Sequence, residues 1–179
     1  MQKRKDEIIE LMTADWAAQT FQELAKQVYQ SPKDISILLE LNEHPQHKIA
    51  WRSAYLLDLS HDLDKTILDE HLQLLMDRTP LLSSQSIKRH YLRILSQHDL
   101  SEVADGQLLD CCFEWLQTEE TPIAVKAHCM QILYDLTVPY PELISELKAV
   151  LENLIPYGSK GEVNKAKKIL AQLNKTKRA

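Results

Sequence analysis

Glycine is scarce, with only Gly106, Gly158 and Gly161 in 179 residues. A nucleotide-binding sheet needs several glycines where backbone meets phosphate, so the scarcity argues against Rossmann and P-loop enzymes. Apolar runs such as Tyr55–Leu57 and Leu81–Leu82 fall far short of the roughly 20 residues that cross a bilayer. The opening is basic and turns acidic at Asp6 and Glu7, without the apolar stretch and small-residue cleavage site of a secretion signal. Cysteine is limited to Cys111, Cys112 and Cys129, an odd number in a chain long enough to need no staples. Alternating runs of β-branched residues are missing as well, which excludes a sheet as the main element. The expectation is a soluble, cytoplasmic, all-α protein with reduced thiols.

What is present supports a folded chain: 44% of residues are hydrophobic and 26% charged. At this length a compact fold hides about 70% of its unfolded surface, enough for one core or a short stack of repeated units. Apolar residues recur three and four apart in nearly every segment. In 64–78, Ile67, Leu68, Leu72, Leu75 and Met76 make one stripe, with Asp69, Glu70, Gln73 and Asp77 largely off it. Leu108, Leu109, Cys112, Phe113 and Leu116 repeat the pattern, as do Leu143, Leu147, Val150, Leu151 and Leu154. Breaks such as Ser31-Pro32, His44-Pro45, Thr79-Pro80, Thr121-Pro122 and Val138-Pro139 carry helix-terminus chemistry. This punctuation predicts helices near 4–13, 15–29, 33–42, 46–60, 65–78, 84–97, 102–117, 122–135, 140–154 and 160–173. Short connectors make sequential helices pack as antiparallel hairpins.

Three of these segments share a register. Residues 49–57 read IAWRSAYLL, 87–95 read IKRHYLRIL and 125–133 read VKAHCMQIL, each starting 38 positions after the last. Ile49, Ile87 and Val125 correspond, and so do Leu57, Leu95 and Leu133; in the intervening helices Leu75, Phe113 and Leu151 keep the same step. Agreement across both helix types points to a helical-pair repeat, whose apolar face is buried only by stacking on a neighbour. The period and the segment TPIAVKAHCMQILYDL resemble HEAT repeats, with a proline opening and Val125-Lys126 in place of the family's valine-arginine pair. Ile87-Lys88 matches more loosely, and Ile49-Ala50 departs from it. The chain also resembles small HEAT-like proteins of Bacteroides-type bacteria that end in a short helix after a Pro-Tyr-Gly turn. The resemblance covers roughly residues 46–173 and implies a right-handed α-α superhelix, an armadillo/HEAT-like solenoid of about five antiparallel helix pairs.

A single domain over 1–179 is expected, with capping helices in 1–45, a repeat core in 46–155 and a basic cap and tail in 156–179. Trp16, Phe21, Leu24 and Val28 give a stripe that closes the first helix pair. Residues 156–179 hold seven basic side chains and one acidic, a balance of +6; removing them from the totals of 21 and 26 leaves 14 and 25, or −11, for the rest. In the cap, Ile169, Leu170 and Leu173 are expected to pack inward and Lys160, Lys165, Lys167 and Lys168 to face water, before a tail with Lys175, Lys177 and Arg178.

No set of residues converges on a reaction. His44 and His47 straddle Pro45, and no H-E-x-x-H or C-x-x-C spacing occurs, so neither metal nor cofactor is expected. His90 and His128 sit at equivalent repeat positions and read as packing residues. Cys111 and Cys112 point about 100° apart on one helix, and Cys129 on the next helix is placed to approach one of them. The reading is therefore a non-enzymatic scaffold that takes a protein or peptide on its inner helical face, without a membrane role. Its contacts are expected from Lys48, Arg52, Lys88, Arg89, Arg93 and Lys126, some of which tie neighbouring repeats together instead. One branch of HEAT-like proteins, the alkylpurine DNA glycosylases, implies an alternative in which Trp51, Asp58 and Trp115 cradle a damaged nucleotide. A body at −11 weighs against a nucleic-acid partner. Trp51 and Trp115 lie beside packing stripes and are expected to be mostly buried.

Overall fold

The computed structural model describes residues 2–14, 17–104 and 106–176. Among these, regular structure is helical throughout: α1 Gln2–Ala14, α2 Ala18–Val28, α3 Pro32–Leu41, α4 His47–Leu63, α5 Leu72–Arg78, α6 Gln85–Leu95, α7 Gly106–Gln117, α8 Ile123–Leu136, α9 Leu143–Leu154 and α10 Lys160–Thr176. Trp16, Lys177 and Arg178 lie outside the described residues. The helix starts follow local chemistry. Ser31 caps α3 by accepting from the Asp34 amide, with Pro32 at the first helical position. Ser159 and Glu162 cap α10 reciprocally: the Ser159 amide donates to Glu162 Oε2 at 2.7 Å and the Glu162 amide to Ser159 Oγ at 3.4 Å.

One expected helix is divided. Residues 65–78 carry the predicted apolar stripe, and Leu68, Leu72, Leu75 and Met76 are buried. Yet Lys65–His71 is a 3₁₀ helix and only Leu72–Arg78 is α. Asp64 enters it extended and accepts both the Thr66 amide at 2.9 Å and the Thr66 hydroxyl at 2.7 Å. Apolar spacing of three and four serves either helix type, so the stripe alone does not separate them.

The chain forms two compact units. The first comprises the described residues up to Leu72 together with Leu82–Ile94. Its centre is α4, which packs against α1, α2 and α3. Ile8, Met12, Phe21, Leu24, Val28, Ile35, Leu38, Leu57 and Tyr91 fill its core. The Arg4 guanidinium reaches Asp34 at 2.7 Å and ties α1 to α3. Inside this core Asn42 Nδ2 donates to Ser53 Oγ at 2.6 Å and the Tyr91 hydroxyl to Asn42 Oδ1 at 2.7 Å, so the buried amide is satisfied on both sides.

The second unit comprises Gln73–Leu81 and the described residues from Leu95 onward. Here α8 is central, packed against α7, α9 and α10. Leu108, Cys112, Leu116, Val125, Met130, Leu133, Leu147, Leu151, Ala166, Ile169 and Leu173 form the core. The cap packs as expected through Ile169 and Leu173, but Leu170 is half-buried, and Lys165 is partly covered because its ammonium donates to Gln131 Oε1 at 2.5 Å.

The 38-residue register reappears in burial. Ile49, Ile87 and Val125 are all buried, as are Leu75, Phe113 and Leu151. Five further triplets agree: Ala50, Lys88 and Lys126; Ser53, Tyr91 and Cys129; Ala54, Leu92 and Met130; Leu56, Ile94 and Ile132; Leu57, Leu95 and Leu133. Three helices of unlike sequence thus bury the same positions, which is what a repeated helical unit requires.

Candidate functional site

The register also carries polar bonds. In the first unit Asp58 of α4 meets His90 of α6, with Asp58 Oδ2 2.8 Å from His90 Nδ1 and both side chains buried. In the second, Ser96 Oγ lies 3.2 Å from His128 Nδ1. Each pair is 32 residues apart, and the second is the first displaced by one repeat. The histidines therefore join successive repeats: His90 of α6 bonds Asp58 within α4, and His128 of α8 bonds Ser96 just beyond α6.

Asp58 is bonded on both oxygens. Arg93 Nη1 donates to its Oδ1, while Arg93 Nη2 donates to both oxygens of Asp62 at 2.9 and 3.0 Å. The Arg89 guanidinium, which only donates, lies 3.1 Å from His90 Nε2; that nitrogen accepts, and the ring proton on Nδ1 goes to Asp58. Burial works against the charge on Arg93, but the Asp62 and Asp58 carboxylates outweigh it and raise its pKa further. Ligand atoms of Asp58, His61 and Asp62 lie within 4.8 Å of one another, a spacing compatible with a metal ion. Arg93 already supplies the cation there, since it is bonded to both carboxylates.

Three of the six cations expected to meet a partner are corrected by burial. Arg52 is 7% exposed and donates from Nη1 to the Met12 carbonyl at 2.6 Å, satisfying an end carbonyl of α1. Lys126 is 6% exposed and pairs with Glu162 at 3.2 Å, joining α8 to α10. Lys88, in the same register position as Lys126, is also buried at 6%. Long basic side chains bury their stems readily, so neither charge nor residue type distinguished these three from surface lysines. Lys48 and Arg89 are exposed, and Arg93 keeps 35% of its side chain accessible.

Trp51 and Trp115 are each part-exposed. Trp51 lies beneath the Arg52 guanidinium at 5.8 Å. Asp58, the carboxylate of the glycosylase alternative, is 5% exposed and bonded to Arg93 and His90. Cys129 does approach Cys112: the hydrogen bond between the thiols, together with burial, holds the Cys112 thiol well above its ordinary pKa and therefore protonated.

The sequence reading missed a cavity of about 530 Å³ in the second unit. Leu116 and Gln117 at the end of α7, Glu119 beyond it, Val150, Asn153 and Leu154 of α9, and the Tyr157-Gly158 turn line it, with Lys126 and Glu162 behind. Gly158 is required there: a Cβ would stand 2.7 Å from Leu154 Cδ2 and 2.9 Å from the Leu154 carbonyl oxygen. The capping box at Ser159 and Glu162 was a local signal for this turn; the cavity itself is assembled from distant segments.

No helix among the described residues is long and apolar enough to cross a membrane. A family profile for the HEAT repeat domain matches residues 9–173. No curated protein and no solved structure matches the chain.

Proposed function

The chain belongs to the HEAT repeat domain family, and from that premise we propose that it is a non-enzymatic scaffold binding a protein or peptide partner. The ten helices are read as about five antiparallel pairs of a right-handed superhelix, working in the cytoplasm. The observation that supports a scaffold is where the reactive residue types stand. Asp58, His90 and Arg93 bond one another across the packing, whereas Lys48 of α4 and Arg89 of α6 remain exposed. Lys48, Arg89 and the open edge of Arg93 are the partner contacts on this reading, aimed at acidic side chains.

The test is affinity capture from native lysate with the wild-type chain and with Lys48→Glu/Arg89→Glu. A captured protein that the double variant no longer retains is the expected result. Equal capture by both removes these two contacts from the proposal. Capture of no protein, with a stoichiometric small-molecule hit in a metabolite screen, overturns the scaffold. Duplex DNA should bind no more tightly than the nonspecific range of about 10⁻⁴ to 10⁻⁶ M at physiological salt. Release of alkylated base, abolished by Asp58→Asn in a folded protein, would establish the glycosylase alternative instead.

A further inference from the structure

The cavity of the second unit has a chemistry of its own. Its floor is aliphatic, from Leu116, Val150 and Leu154, and its volume of about 530 Å³ falls in the range of side-chain and small-ligand sites. Tyr157 stands on the rim with 92% of its surface exposed, an aromatic face left without packing. Of the charged groups, Lys126 and Glu162 are closed on each other, and the second oxygen of Glu162 accepts the Ser159 amide. That leaves the Glu119 carboxylate and the Asn153 amide, both exposed and both without a side-chain partner among the described residues. Glu120 follows Glu119 in the same loop and is also exposed.

Aliphatic floor, exposed ring and uncommitted acceptors under a net negative charge specify the ligand closely. An acidic group meets no free cation, because the single lysine of the wall is spent on Glu162. An apolar residue gains nothing from the carboxylate. A guanidinium suits each feature: its stem can cover the leucines, its planar fork of N–H groups can bond Glu119 and Asn153, and its face can stack on Tyr157. An ammonium is more strongly hydrated and lacks the planar fork and stacking face. We propose that this cavity receives an arginine side chain presented by a partner polypeptide. The proposal rests on the scaffold reading and adds to it a second contact of opposite charge to Lys48 and Arg89.

The experiment uses the full ¹⁵N-labelled chain at low salt, titrated with N-acetylarginine amide and with its neutral isostere N-acetylcitrulline amide. The arginine probe should give saturable shifts at the amides of Gln117, Asn153, Tyr157 and Gly158, with the citrulline probe at least tenfold weaker. Glu119→Gln should weaken the arginine probe about tenfold and Tyr157→Ala several-fold, both with otherwise native spectra. Equal response to the two probes, shifts centred elsewhere, no saturation, or indifference to Glu119→Gln each overturns the proposal. A partner captured through Lys48 and Arg89 while the arginine probe fails leaves the scaffold standing without this pocket; loss of both ends the two readings together.

Discussion

The two units use the same repeat position in different ways. Where α6 of the first unit presents His90, α8 of the second presents His128, and each reaches back 32 residues to a bonding partner. In the first unit that partner is a buried carboxylate, held also by Arg93 and through it linked to Asp62. In the second it is a hydroxyl at a part-buried site. The second unit places its buried ion pair elsewhere, between Lys126 of α8 and Glu162 of α10. A repeat thus conserves the geometry of a contact more strictly than its chemistry. Burial fixes the apolar positions, and any pair that satisfies its own hydrogen bonds is tolerated between them.

The largest expected consequence lies at Asp58. Removing it leaves the buried His90 Nδ1–H without its acceptor and deprives Arg93 of one of its two carboxylates. Asp58→Ala should cost about 3 kcal/mol in urea unfolding, in the range for breaking one side of a buried ion pair. A loss no greater than that of a surface substitution would show that the charged bond between repeats is dispensable. The matching change in the second unit is Ser96→Ala, which deletes the hydroxyl bonded to His128 and should cost about 1 kcal/mol. If the two losses were equal, the contrast between a charged and a neutral contact would have no energetic meaning.

Much of this fold is legible along the chain because it is written in apolar periodicity. Ile49, Ile87 and Val125 declare their shared burial through spacing, and Leu75, Phe113 and Leu151 do the same for α5, α7 and α9. The Asp58–His90 and Ser96–His128 bonds were legible in principle, since both lie 32 residues apart within a 38-residue period. Pairs of polar residues at repeat spacing are the signal that finds them. Burial of Arg52, Lys88 and Lys126 was not legible, because each depends on a distant acceptor or cover, such as the Met12 carbonyl or Glu162. The cavity was hidden for the same reason: its lining comes from α7, α8, α9, α10 and the turn before α10, and periodicity describes one helix at a time. The 3₁₀ stretch at Lys65–His71 escaped because its apolar spacing fits an α-helix equally well.

The smallest effect sharpens the comparison through pH. Burial alone would push the Glu162 carboxyl up, but hydrogen bonds from Ser159 and the charge and hydrogen bond of Lys126 outweigh it, so its pKa in the fold lies below the ordinary glutamate range. A carboxyl depressed by folding binds its proton more weakly in the native state than in the unfolded chain. Its contribution to stability is complete above the unfolded value, near 4.3 for a free glutamate, and fades as the pH falls through the lower folded value. Wild-type protein should therefore lose stability on acidification below about pH 5, and Glu162→Gln should remove part of that slope while lowering stability at neutral pH. Urea midpoints measured from pH 7 downward test both statements. An unchanged acid slope in Glu162→Gln would mean that the α8–α10 ion pair is not the second unit's counterpart to the charged Asp58 contact of the first.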